Sequence, residues 1–291
     1  MALTAPVAVE FKLPSGLTLA GWRAAPQLEL PSQPVLCLHG WLDNANSFLP
    51  LASALPELPL LALDLAGHGH SSHRSADAHY YLFDYVADIA TLCRQQGWQQ
   101  LIIIGHSMGG MIATVLAASF PELVSKLVLV DSLGLMTTTP AETAIQLRKA
   151  VISRLQSHQK QKPQYATQAE AATARQQQSD FDLATAMLLT ERGCEPTAAG
   201  FSWRADVKLR EVSAFRMSDA QARAVIRNLQ CPVLALMSAQ SPSEILHATQ
   251  QFQVDYPQLK LVQCPGGHHL HMTDAVFCAN EIRRFVSAQL V

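Results

Sequence analysis

The stretch Leu101-Ile102-Ile103-Ile104-Gly105-His106-Ser107-Met108-Gly109-Gly110 constrains this chain more than any other. The branched apolar run is too short for a helix and reads as a strand buried on both faces. Met111 to Phe120 lacks Pro and Gly and reads as a helix closed by Pro121. Strand, tight turn and helix are the setting of a nucleophile elbow, with Ser107 at its apex. Gly105 and Gly109 stand two residues either side, where a side chain would jam strand against helix. Ser107 is thereby expected in a strained turn that presents its hydroxyl, and the Met108 amide at the helix N-terminus, where a developing oxyanion is stabilised. Gly-x-Ser-x-Gly is short enough to arise by chance, so the rest of the chain must supply partners.

The chain has room for them. Its 291 residues suit one large domain or a core with an insertion, and 49% apolar against 15% charged residues allow a sizeable core. A net charge of −2 points to neither nucleic acid nor a membrane surface as partner. The six cysteines (37, 93, 194, 231, 264, 278) are scattered without a C-x-x-C pair and read as buried reduced thiols. Met1 to Glu10 lacks the basic flank and apolar core of a signal peptide, and no apolar run reaches membrane-spanning length, so the expected location is cytoplasmic.

Along the chain, Val7–Leu13 and Leu17–Arg23 read as a hairpin turned by Pro14-Ser15-Gly16. Strands follow at Pro34–Leu38, Leu58–Leu63 and Lys126–Val130, with helices at Ser47–Leu55 and Tyr80–Gln96. After Asp131 the alternation stops, and 133–229 reads as an inserted, mostly helical cap between core segments 1–132 and 230–291. Within it Gln146–Gln178 suggests solvated helix faces, and Gly193–Arg210 a loop packing aromatics. Alternation resumes with strand Pro232–Ser238, helix Ser243–Phe252, strand Leu259–Gln263 and helix Thr273–Leu290. This describes an α/β fold whose sheet is mostly parallel.

Ligands of such sheets bind beyond the carboxyl ends of strands, which selects His39-Gly40-Trp41, Asp64–Ser71, Ser107, Asp131, Ser241 and Cys264–His271. A serine hydroxyl needs a base, and His268 follows the last strand in a glycine-rich loop, with His269 and His271 as competitors in the same turn. A metal reading of Cys264, His268, His269 and His271 meets no standard ligand spacing, so no metal is expected. Trp41 supplies the second oxyanion N–H beside that of Met108, and His39 and His106 are candidate pocket residues. Asp64–Ser71 reads as a structural turn. The acid is the open member: an Asp is expected near Ser241 and none stands there. Glu244 has its own explanation as part of a capping box, Ser241 as cap and Pro242 first in the helix. Asp131, at the end of the strand after the elbow, is the preferred acid.

Together His39-Gly-Trp41, Asp64-x-x-Gly67-His-Gly-x-Ser71, Gly105-His-Ser107-Met-Gly109-Gly and Gly267-His268 resemble the α/β-hydrolase fold family. Leu36–Ala45, Ser71-Ser72-His73 and Tyr80-Tyr81-Leu82 are similar to its serine hydrolase-like subgroup. The resemblance implies an eight-stranded, mostly parallel sheet with a helical cap over the serine, Ser107 as nucleophile and His268 as base. Some members take their acid from the position of Asp131. The expected function is cofactor-free hydrolysis of a small, largely uncharged ester, thioester or related carbonyl substrate. Two alternatives stay open: a ligand-binding or sensor protein without turnover, suggested by the missing acid at Ser241, and lyase-type C–C or C–N cleavage.

Overall fold

The computed structural model describes residues 5–24, 32–157 and 160–288. The first segment of the core supplies β1 (Val7–Lys12), β2 (Thr18–Arg23), β3 (Val35–Leu38), α1 (Leu49–Ala54), β4 (Leu60–Leu63) and α2 (Leu82–Gln96). It continues with β5 (Leu101–His106), α3 (Met108–Ser119) and β6 (Val124–Val130). The insertion holds α4 (Thr143–Ser157), β7 (Gln164–Tyr165), α5 (Gln168–Gln176), α6 (Leu183–Gly193), β8 (Cys194–Thr197) and β9 (Gly200–Trp203). Then come α7 (Asp219–Arg227), β10 (Val233–Ser238), α8 (Ser243–Phe252), β11 (Leu259–Cys264), α9 (Leu270–Thr273) and α10 (Ala275–Ser287).

Eight strands form one sheet in the order β1-β2-β4-β3-β5-β6-β10-β11. The β1–β2 and β2–β4 pairs are antiparallel and every other pair is parallel. Parallel strands must be covered on both faces, and two apolar cores do this. One joins α2, α3, α7 and α8 to the sheet through Ile89, Ile112, Ile226 and Phe252; the other joins α1 and α10 through Leu51 and Ile282. β3, β4 and β10 are buried at every position, which explains why their runs are continuously apolar rather than alternating. The chain leaves β3 toward β4 and returns past it to β5, so the carboxyl ends of β3, β5 and β6 open on one crevice.

Two expectations for the insertion need correction. Gly193–Arg210 is not a loop: β8 and β9 pair antiparallel, with β7 on the other side of β9, in a separate three-stranded sheet. Pro196 hides this in the sequence, yet β8 is an edge strand, where a missing N–H is tolerated. The Gln146–Gln178 stretch is not solvated by polar faces alone, since α4 also exposes Leu147, Val151, Ile152 and Leu155. α7 packs Ala222 and Ile226 into the main core, so the chain has rejoined the sheet by that point. The last helix was expected over Thr273–Leu290; Asp274 separates α9 from α10, and 289–290 lie outside the described residues. Among the described residues no helix is long and apolar enough to cross a membrane. All six cysteines are buried and unbridged.

Candidate active site

β5 ends at His106, and Ser107 turns the chain at φ 48°, ψ −118° before α3 begins. A non-glycine residue in that region stores strain and persists only where its surroundings hold it. The Ser107 N–H donates to the Val130 carbonyl (3.1 Å), and the Ser132 hydroxyl donates to the Ser107 carbonyl (2.6 Å). Gly109 lets α3 close on the loop after β3: a Cβ there would stand 2.1 Å from the Leu38 carbonyl oxygen and 2.7 Å from that of His39. The elbow and the His39-Gly40-Trp41 loop are thus pressed together. The N–H groups of Trp41 and Met108 have no hydrogen-bond acceptor among the described residues.

The last strand brings His268 to the serine. The Ser107 hydroxyl lies 3.1 Å from His268 Nε2, and His268 Nδ1 lies 2.6 Å from Asp131 Oδ2. With Nδ1 donating to the carboxylate, Nε2 is left as the acceptor facing the hydroxyl. Asp131 is fully buried and itself sits at φ 45°. Its other oxygen accepts from the Ser238 N–H (3.1 Å) and the Ser241 hydroxyl (2.5 Å). Ser241, where the sequence lacked an acid, therefore helps hold the acid that stands one strand away. Glu244 is exposed and turned to Ser243. The capping box expected around it is not formed: α8 starts at Ser243 with Pro242 as its cap, because the Ser241 hydroxyl is spent on Asp131.

His39 and His106, the candidate pocket residues, are both fully buried. His39 Nδ1–H donates to the Gly40 carbonyl (2.7 Å), and Nε2 accepts from the Leu65 N–H (2.9 Å), so the ring pins the crevice loops. His106 lies under the base loop, donating from Nε2 to the His268 carbonyl (3.0 Å). Burial pushes its pKa down to about 4, so it is neutral. Side chains of a strand buried on both faces point into packing, and carboxyl-end position alone does not turn them outward. Asp64 is structural as expected: it accepts from the Ala45 and His70 amides and from Arg192 Nε of α6 at 2.7–2.9 Å.

A second charged row beside the first was not foreseen. His269 Nδ1 lies 2.5 Å from Asp180 Oδ1, between α5 and α6, and its Nε2 faces Asp43 Oδ2 at 3.5 Å. Arg175 of α5 donates to the other Asp43 oxygen (2.8 Å). Burial works against charge on His269, but Asp43 and Asp180 outweigh it and raise its pKa to about 9. Asp43 is held well below the carboxylate range, burial being overcome by His269 and Arg175. Asp43, Asp180 and Arg175 carry no sequence signal of their own, because their contacts span 89 and 132 residues. The Trp41 indole adds another tie, donating to the Leu209 carbonyl (2.8 Å). Hydroxyl, imidazole and buried carboxylate in line can move a proton off Ser107 as it attacks a carbonyl.

A family model described as alpha/beta hydrolase fold matches residues 33–275. Human serine hydrolase-like protein 2 is 33% identical over 277 residues, which is 88% of this chain and 88% of that protein. The crystal structure of a hypothetical protein from Pseudomonas aeruginosa PAO1 superposes with a TM-score of 0.89 at 35% identity, over 97% of this chain and all of that one. The thioesterase domain from the curacin biosynthetic pathway gives 0.85 at 25% identity over 97% of this chain and 100% of its own.

Proposed function

Since the chain belongs to the α/β-hydrolase fold family, we propose that it is a serine hydrolase cleaving carboxylic esters or thioesters without a cofactor. The observation that carries this is His268 spanning the Ser107 hydroxyl and the buried Asp131 carboxylate. Ser107 Oγ attacks the substrate carbonyl while His268 Nε2 takes its proton. Asp131 keeps the imidazole in the needed tautomer and stabilises its cation. The Trp41 and Met108 amides bind the oxyanion, and each such donor is worth roughly 10²–10³ in rate. Collapse expels the alcohol or thiol, which takes the proton from His268. Water then repeats the steps on the acyl-serine to release the carboxylic acid.

A relative that is a thioesterase domain keeps thioesters within the class. The binding-protein alternative drew on the missing acid at Ser241; Asp131 against His268 removes that motive. Reaction with a fluorophosphonate, followed by intact mass, tests the proposal. Wild type should gain one adduct and Ser107→Ala none; an unlabelled wild type, or equal labelling of both, would overturn it.

A further inference from the structure

A cavity of about 530 Å³ opens beside the active site. That is the size of a small-molecule site rather than of a single ion. Trp41 and Leu42 form one wall, and α5 and the β9 end of the insertion form the others. It meets the His39-Gly40-Trp41 loop at Trp41, and that loop is pressed on α3 at Gly109. Arg175, on the cavity wall, is bonded to Asp43 beneath that loop. Neither Ser107 nor His268 lines the cavity, so a ligand group seated there would be remote from the bond that breaks.

Its charge is lopsided. Lys160, Lys162, Arg175 and Arg210 line it against one carboxylate, Asp206. Asp206 is already engaged by the Tyr80 hydroxyl and the Lys208 amide, and Arg175 is matched by Asp43. Lys160, Lys162 and Arg210 form no ion pair among the described residues, in a chain whose net charge is −2. Lys162 donates to the Arg204 carbonyl (2.9 Å), and Arg210 lies over the Trp41 ring at 5.8 Å. Burial lowers the Lys162 pKa, the pull of Glu195 and Asp206 being too weak to restore it. Lys162 is half-buried while Lys160 and Arg210 reach solvent, and a partly desolvated ammonium without an ion-pair partner is costly unless a ligand supplies the counter-charge. Trp41 and Trp203 add flat apolar surface between them.

The geometry points to this cavity as the site for an oxyanion, carboxylate or phosphate, carried by the substrate whose carbonyl meets Ser107. The ligand class is therefore an ester or thioester with an anionic end, unlike the largely uncharged substrate expected from the sequence. The reacting end of this inference rests on the serine-hydrolase proposal; the anion site does not.

Two isosteric pairs test it. The p-nitrophenyl monoester of glutaric acid is compared with p-nitrophenyl valerate, and butyryl-phosphopantetheine with butyryl-pantetheine, the pairs reporting carboxylate and phosphate respectively. In at least one pair kcat/KM should favour the anion by about tenfold or more, the size of a charge-assisted contact. The ratio, measured within each protein sample, should fall about fivefold or more in Lys162→Gln and in Arg210→Gln. In parallel, glutarate and phosphopantetheine are titrated into Ser107→Ala, with tryptophan fluorescence reporting on Trp41 and Trp203. A saturable change weakened by salt supports the site. Turnover with no anion preference in either pair and no saturable change overturns it and leaves the hydrolase standing. Saturable binding with no turnover of any substrate supports the anion site and sinks the hydrolase proposal.

Discussion

His268 and His269 are neighbours in the sequence and do different work because of what faces their ring nitrogens. His268 has one nitrogen on a carboxylate and the other on a hydroxyl, so its Nε2 can take and return a proton. His269 has a carboxylate toward each nitrogen, Asp180 on one side and Asp43 on the other, and stays a cation. The first ring looks inward to the elbow; the second ties the base loop to the segment between α5 and α6. A glycine precedes the pair for the same reason: a Cβ on Gly267 would stand 2.1 Å from Asp180 Oδ2. The number of carboxylates, not the residue type, separates the proposed base from the strut. The strut also bears on the base, since the two are consecutive and His106 holds the carbonyl between them.

That contrast can be broken at several points. Asp131→Asn should cut kcat about 10⁴-fold, the loss expected when the imidazole is left in the wrong tautomer. Glu244→Gln should stay within about twofold, being an exposed first-turn residue; a reversal of the two results in the same ester assay would move the acid to α8. His269→Gln should destabilise the fold by roughly 2–3 kcal/mol in urea unfolding. This is below the ~3–5 kcal/mol for breaking a fully buried pair, because Arg175 still neutralises Asp43 and Asp180 is partly exposed. A change under about 0.5 kcal/mol would show that the strut carries no load.

The same residue sets a pH dependence. Its pKa is raised from an ordinary 6.5 to about 9 on folding, so the folded state binds the proton more tightly than the unfolded chain. The stabilisation is complete below about pH 6.5 and is lost as pH rises through about 9. Melting curves of wild type should therefore show a stability decline across that window that His269→Gln lacks. Parallel profiles for the two proteins would remove His269 as its source.

The core was legible because burial leaves a mark on composition. Branched apolar runs announced β3, β5 and β10, and strand ends announced Ser107, Asp131 and His268. Asp131 could be preferred over Glu244 because a strand-end carboxylate has a direction, whereas an acid in a helix's first turn has a local explanation. The insertion was less legible. Its β8–β9 hairpin carries Pro196 and only four residues in each strand, too few for alternation to show. The charged row of Asp43, His269, Asp180 and Arg175 is assembled from three separate segments, and charge complementarity over such separations leaves no periodicity to read. The burial of His39 and His106 was not legible either, because reaching the edge of the sheet does not decide which way a ring turns.

The most direct measurement takes the two adjacent histidines through one assay. His268→Gln and His269→Gln are assayed for kcat/KM on the same activated ester at pH 7.5. His268→Gln should lose about 10⁴–10⁶-fold, as when a base is removed from a nucleophile it serves. His269→Gln should lose about tenfold or less, with its larger effect on stability. Equal losses, or the greater loss at His269, would contradict the assignment of base and strut.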